Sequence, residues 1–189
     1  RNAPTPLLGR LADLVRLRKH PERIVSYIID RNVNYTNVCV ARCNFCAFYR
    51  PVGSSEGYVL GFEELFRKID ETIAVGGVQL LLQGGHNPQF PFDYYLDLVR
   101  ETKKRFGDIT PHFFSASEIK TISRVSGLSV IEVLGGLKAA GQNTLPGGGA
   151  EILSKRVRAQ ISPKKGGPEE WLSVHREAQS TPKAGESCK

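Results

Sequence analysis

Three of the four cysteines fall within one short stretch, Cys39-Val-Ala-Arg-Cys43-Asn-Phe-Cys46, a C-x₃-C-x₂-C run. Thiolates are soft ligands suited to iron, and three on one loop can reach three corners of a cubane iron–sulfur cluster. The fourth iron then lacks a protein ligand, which leaves the open coordination position that catalysis needs. Zinc is the competing occupant, but a structural zinc site wants four ligands, usually as paired C-x₂-C sets. The remaining thiol and imidazoles (His20, His86, His112, His175 and Cys188) stand at no zinc-finger spacing. A tight, odd-numbered cluster is also unlike a disulfide framework. The spacing therefore points to Cys39, Cys43 and Cys46 as cluster ligands.

Other residues with chemical capacity sit at predicted strand ends. Gln83-Gly84-Gly85 follows an apolar run, and bare glycines permit either a turn or close backbone approach. Ser115 opens a Ser-Ala-Ser-Glu118 capping box, so it reads first as a helix cap. Pro146-Gly-Gly-Gly149 reads as a flexible loop, and Glu151 beyond it favours a helix N-terminus. His86 and His112 are chemically suitable general bases, although an isolated His more often serves as a structural hydrogen-bonder.

The elements that must position these residues alternate in type. Leu7, Leu8, Leu11, Leu14 and Val15 recur at helical spacing and predict an amphipathic helix ending near His20-Pro21. Arg23 to Asp30 is rich in β-branched and aromatic residues and reads as a strand, as does Val33 to Tyr35. Phe62, Leu65, Phe66, Ile69 and Ile73 mark a second helix. Val78 to Leu82 is an apolar run of strand length, as for a strand buried on both faces. Pro91 opens a helix, Ile109 to Phe114 is a strand, and helices follow from Ser115 and Ser129. Asn143-Thr-Leu145 reads as a short strand, with helices from about Ala150 and from Pro168. From Gln179 onward the periodicity stops, and residues 179–189 have the composition of a disordered tail.

Strands alternating with helices argue for parallel βαβ units. The expected fold class is α/β, a partial (β/α) barrel of about four parallel strands, half of an eight-stranded barrel. Residues 1–22 form an N-terminal helical segment and residues 23–178 the barrel segment.

Composition excludes several classes. The 189 residues are 40% hydrophobic and carry a formal net charge of +7. No apolar run has the length of a membrane span and no signal-peptide pattern opens the chain, so a cytoplasmic address is the expectation. Much of the positive charge lies in Lys155, Arg156, Arg158, Lys164 and Lys165, which read as a solvated or anion-attracting face. No nucleic-acid recognition motif with interleaved aromatics accompanies it. The chain has no Met and starts at Arg1, which reads as a start inside a longer sequence.

The C-x₃-C-x-aromatic-C run after a first strand resembles the signature of radical S-adenosylmethionine enzymes. That resemblance implies a 4Fe–4S cluster whose unique iron is chelated by the cosubstrate, and one-electron cleavage to a deoxyadenosyl radical. It further implies that Phe45 packs near the adenine, that Gln83, Gly84 and Gly85 bind the methionine amino group, and that Ser115 contacts the ribose. Within that superfamily, Asn34-Tyr-Thr-Asn-Val-Cys39, Phe45-Cys-Ala-Phe-Tyr-Arg50, Gln83-Gly-Gly-His86, Phe114-Ser-Ala-Ser-Glu118 and Leu145-Pro-Gly-Gly-Gly-Ala-Glu-Ile-Leu153 resemble the futalosine-pathway group of menaquinone biosynthesis. Tyr49 and His86 look most like the members that cyclise dehypoxanthine futalosine. Sibling enzymes that make aminofutalosine or the deazaflavin chromophore usually carry Leu at the position of His86 and a small residue at that of Tyr49.

The implied reaction abstracts a hydrogen from the ribose-like ring, joins that carbon to the attached benzoate ring, and then loses an electron and a proton. The resemblance places His86 and Glu151 at the active site as catalytic candidates, and implies an electron donor such as flavodoxin or ferredoxin. Gly135-Gly136 and Gln142 depart from the group's usual residues. The resemblance stops after Ala178, so a truncated chain lacking cyclase turnover is the expectation. A sibling enzyme and a non-catalytic metal-binding module stay open as alternatives.

Overall fold

The computed structural model describes residues 3–180. Among these, β1 (Asp30–Asn34), β2 (Gln79–Gln83) and β3 (Thr110–Phe113) form one parallel sheet in the order β1-β2-β3. Asp30 pairs with Gln79 and Gln79 with Thr110, so the three strands run in step and end together. The helices are α1 (Thr5–Lys19), α2 (Phe62–Ala74), α3 (Phe92–Arg105), α4 (Ala116–Ser126), α5 (Val130–Ala140), α6 (Lys155–Ile161) and α7 (Pro168–Ser180). Helical crossovers join β1 to β2 and β2 to β3, the βαβ logic of a parallel sheet and of a partial α/β barrel.

The core lies between the sheet and its helices. Leu80 and Leu82 of β2 meet Ile69 of α2, Val99 of α3, Phe113 of β3 and Ile119 of α4, all fully buried. In α2, Leu65, Ile69 and Thr72 face inward. Its outer face is held by the Glu64–Arg67 and Glu64–Lys68 pairs. α5 starts on a complete capping box: Ser129 Oγ accepts from the Glu132 N–H at 3.2 Å and the Glu132 carboxylate accepts from the Ser129 N–H at 2.7 Å. α4 ends at Gly127 in the left-handed region, φ 73°.

Several expectations are corrected. The segment 24–28 forms no regular element and joins no sheet, and Ile24, Val25, Tyr27 and Ile28 stand exposed. β-Branched residues favour a half-buried pleated surface, and no neighbouring strand supplies one there. β2 alternates rather than burying both faces: Leu80 and Leu82 are buried while Gln79, Leu81 and Gln83 are half-buried. The fourth expected strand, 143–145, runs beside β3 without a backbone ladder. Side chains substitute for the ladder, with Gln142 Nε2 donating to the Phe113 carbonyl at 2.7 Å and Thr144 Oγ1 to the Pro111 carbonyl at 3.3 Å. α1 forms as expected but buries no residue. α7 runs through Ser180, so Gln179 and Ser180 are helical, while the rest of the expected tail, with Cys188, lies outside the described residues.

Gly135 and Gly136 differ in their surroundings. A Cβ on Gly136 would lie 2.8 Å from Phe92 Cζ, whereas one on Gly135 would meet nothing within 4 Å. Close packing of α5 on α3 therefore explains Gly136, and nothing in the structure explains Gly135. Gly135→Ala is expected to raise stability by about 0.5–1 kcal/mol in urea unfolding. Gly136→Ala is expected to lower stability, because the Phe92 ring must shift.

Candidate metal centre and adjoining cleft

The carboxyl ends of the three strands gather the chemistry. β1 leads through Tyr35 to the cysteine loop, β2 into Gly84-Gly85-His86, and β3 through Phe114 into Ser115. The loop is tied down on several sides. Cys39 N–H donates to the Arg50 carbonyl at 2.9 Å, Val40 N–H to the His86 carbonyl at 3.0 Å, and Asn44 N–H to the Ile161 carbonyl at 2.8 Å. Three of the four non-glycine residues with positive φ (Arg42, Phe114 and Glu151) stand on segments that meet at this edge, a placement typical of functional sites.

A cavity of about 200 Å³ opens at the same edge. Cys39, Cys43, Cys46, Phe45, Gln83, Gly84, Gly85, His86 and Ser115 all line it, as do Tyr49, Glu118 and Lys165. Every expected metal and cosubstrate residue therefore shares one space. Glu151 does not line it, and neither does His112, whose Nδ1 lies 2.7 Å from Thr144 Oγ1.

The thiols are free. The Ala41 N–H donates to Cys39 Sγ at 3.4 Å, and the Cys46 N–H to the Cys43 carbonyl at 3.0 Å. Burial pushes the Cys43 thiol up, and the Lys165 cation opposes that shift. Among the described residues, no three His, Cys, Asp or Glu side chains converge on a point that would seat a single ion. Three thiols lining one cavity can each take an iron of a multinuclear cluster. The donor set thus fits an iron–sulfur cluster.

The glycines hold two segments together. A Cβ on Gly84 would lie 2.6 Å from the Tyr35 ring, and one on Gly85 would lie 2.1 Å from the Val38 carbonyl oxygen. Only glycine lets the end of β2 lie against Tyr35 and the cysteine loop. Their amides are also used, Gly84 N–H donating to Glu118 Oε1 at 2.9 Å and Gly85 N–H to the Thr36 carbonyl at 2.8 Å.

Glu118 is the functional residue that sequence reasoning placed only as a cap. It is 3% exposed, and its carboxylate accepts from Tyr35 Oη at 2.9 Å, Ser115 N–H at 2.8 Å and Ser115 Oγ at 2.6 Å, besides Gly84. One carboxylate therefore joins the ends of all three strands. Burial pushes its pKa up, against the donors, which act to lower it. Its charge adds to burial in pushing the Tyr35 phenol well above its ordinary range.

His86 is 5% exposed, and its Nδ1 lies 2.8 Å from Thr121 Oγ1. The Thr121 hydroxyl donates to the Ser117 carbonyl at 3.2 Å, so it accepts from Nδ1–H and leaves Nε2 as an acceptor. Burial, with Lys165 and Arg124 nearby, lowers the His86 pKa to about 3. The unfolded chain takes up this proton below about pH 6.5, whereas the folded chain resists it down to about 3. The folded value is depressed, so this contribution is complete above the unfolded value and is lost as pH falls toward the folded one. Between pH 7 and pH 4.5 the His86 share of the loss is expected to be about 2–3 kcal/mol. Urea unfolding at both pH values checks this: His86→Gln should show a shallower pH dependence than the parent, and equal slopes would contradict it.

At the rim, Glu151 accepts from Lys165 Nζ at 2.6 Å and from Arg158 at 3.3 Å. Lys165 Nζ stands 6.0 Å from the centroid of the Phe45 ring. Phe45 is 55% exposed. Arg158, expected on a solvated face, is instead 2% exposed and donates to the Gly166 and Ala150 carbonyls at 2.7 and 2.5 Å. It braces the segment that carries Lys165.

The chain matches the radical SAM superfamily over residues 33–181. It is 49% identical over 167 residues to the cyclic dehypoxanthine futalosine synthase of Halalkalibacterium halodurans, covering 88% of this chain and 45% of that protein. It is 40% identical over 173 residues to the aminodeoxyfutalosine synthase of Thermus thermophilus, covering 92% of this chain and 46% of that one. The chain thus spans about half the length of these curated relatives. Its fold matches the crystal structure of HydG, a maturase of the FeFe-hydrogenase, with a TM-score of 0.69 at 19% identity, over 95% of this chain and 38% of that one. Parallel strands that deliver a three-cysteine loop to one cleft, and a superfamily match over most of the chain, agree: the protein belongs to the radical SAM superfamily.

Proposed function

We propose that this chain carries a 4Fe–4S cluster on Cys39, Cys43 and Cys46, binds S-adenosylmethionine in the adjoining cleft, and belongs to an enzyme that cyclises dehypoxanthine futalosine in menaquinone biosynthesis. The observation that carries the reading is the gathering of the three thiols, Gln83, Ser115 and Phe45 around one cavity at the carboxyl ends of parallel strands. Bound there, the cluster and cosubstrate supply one-electron cleavage of the sulfonium and the hydrogen abstraction that follows.

The chain's own residues bind and position. Gln83, with the backbone at Gly84 and Gly85, faces the cosubstrate's amino acid end. Phe45 covers the adenine, steadied by the Lys165 cation, which Glu151 holds in place. Ser115 contacts the ribose, its backbone fixed by Glu118. His86 presents a neutral Nε2 acceptor to the substrate. With a conjugate acid near 3 it orients a hydroxyl better than it removes a proton at neutral pH. Glu151 acts as a positioning residue through Lys165. Three reduced thiols suit a reducing compartment, the cytoplasm, and a small redox protein of the flavodoxin or ferredoxin kind supplies the electron.

The test is anaerobic incubation of the reconstituted protein with S-adenosylmethionine, a reductant and dehypoxanthine futalosine. Deoxyadenosine is expected from the chain itself, and a cyclised product lacking a pair of hydrogens from a protein extended to the full length of its relatives. Turnover with the precursor of aminofutalosine instead would assign the chain to that sibling activity.

A further inference from the structure

On the outer side of the cysteine loop lies a second, shallow depression that the cleft does not use. Val40, Pro88, Val125 and Pro163 line it together with the buried Thr121 and the exposed cations Arg124 and Lys164. A neighbouring recess brings Lys120 beside Arg124, Lys164 and Lys165. Arg42, on the cysteine loop itself, is exposed.

The depression is fixed to the metal centre. Val40 follows Cys39 in the chain, and its N–H is held by the His86 carbonyl at 3.0 Å. Asn44, between Cys43 and Cys46, donates from its backbone and side chain to the Ile161 and Gln160 carbonyls at 2.8 and 2.6 Å. Those bonds set the position of the segment that carries Lys164.

Apart from Lys165, which pairs with Glu151, the charge here is not neutralised. Arg31, Arg50, Arg67 and Arg158 each meet a carboxylate. Among the described residues, Arg42, Lys120, Arg124 and Lys164 enter no ion pair or side-chain hydrogen bond. The recess includes one carboxylate, Glu170, which accepts from the Gly167 N–H at 3.0 Å. Uncompensated like charges destabilise a monomer slightly, and they complement a partner of opposite sign.

Apolar side chains interspersed with cations suit a protein-docking surface better than a small-anion site. No aromatic side chain lines the depression, so it lacks the stacking platform of a nucleic-acid groove. We propose that this face docks an acidic one-electron carrier protein, which is oxidised by one electron while the centre behind Val40 and Cys39 is reduced by one. The proposal rests on the cluster assignment above and names the partner surface of that same site.

The test uses the full chain, anaerobically reconstituted, with an acidic flavodoxin as the carrier. The affinity for flavodoxin is expected to fall as salt is raised. Lys120→Gln/Arg124→Gln/Lys164→Gln is expected to weaken binding and slow flavodoxin-driven bleaching of the chromophore by about tenfold or more. The control Arg10→Gln/Arg18→Gln/Lys19→Gln, on α1 ahead of the amino end of β1, removes the same charge and should change neither by more than about twofold. Dithionite, too small to need a docking face, should bleach both variants at the parent rate. Equal weakening by both triples would reduce the effect to net charge and overturn the proposal, as would unchanged binding in the first triple or preferential binding of duplex DNA by the same residues. Binding is read without substrate turnover, so a different substrate leaves this result standing. A missing chromophore would sink the cluster assignment instead.

Discussion

Cys39→Ala, Cys43→Ala and Cys46→Ala are each expected to abolish the brown chromophore after anaerobic reconstitution and to reduce cleavage of S-adenosylmethionine to background. The three thiols line one cavity, and none has a disulfide partner. A cubane held at three corners has no redundancy, and among the described residues no fourth thiol lines the cavity to take over. Cys43 is the most buried of the three, and Lys165 beside it favours the thiolate that a metal requires. Cys188 serves as the internal control, and its replacement should leave colour and cleavage unchanged. One cluster-loop variant that keeps full cleavage would show that the ligand assignment is wrong.

The second large effect is expected at Glu118. Replacing it with Ala strands the Gly84 and Ser115 amides and the Tyr35 hydroxyl in a buried space. Each buried donor left unsatisfied costs about 1–3 kcal/mol, so a loss of about 3–5 kcal/mol is expected in urea unfolding. Tyr35→Phe removes one donor and leaves the carboxylate three others, so it should cost only about 1 kcal/mol. Glu118→Gln is informative because its size is kept. Its amide group must face at least one N–H or O–H donor, so it should also destabilise, though less than Ala. A loss below about 1 kcal/mol for Glu118→Ala would mean that the strand ends do not depend on this carboxylate.

Much of this site is legible in the residues before any fold is known. The cysteine run carries its chemistry in its spacing, and Gln83, Gly84, Gly85 and Ser115 follow apolar runs that end as strands. What escaped has a physical reason in each case. Glu118 sits at the third position of a helix, where a carboxylate is sufficiently explained by capping, and only tertiary structure brings Tyr35 and Gly84 to the same oxygen. Arg158 and Lys165 lie in a basic stretch whose ordinary fate is solvent, and a local fold with Glu151 at its centre draws them inward. The segment 24–28 has strand composition without a strand partner, and composition cannot supply one. Gln142 departs from the apolar residue expected there because its amide, rather than a backbone ladder, caps the carbonyl edge of β3.

Electron paramagnetic resonance of the reconstituted protein, reduced and recorded with and without S-adenosylmethionine, tests the central claim most directly. The expected result is a cluster signal that shifts when the cosubstrate is added, because the iron without a protein ligand is the one the cosubstrate reaches. A colourless protein holding one zinc, or a cluster signal indifferent to the cosubstrate, would contradict it.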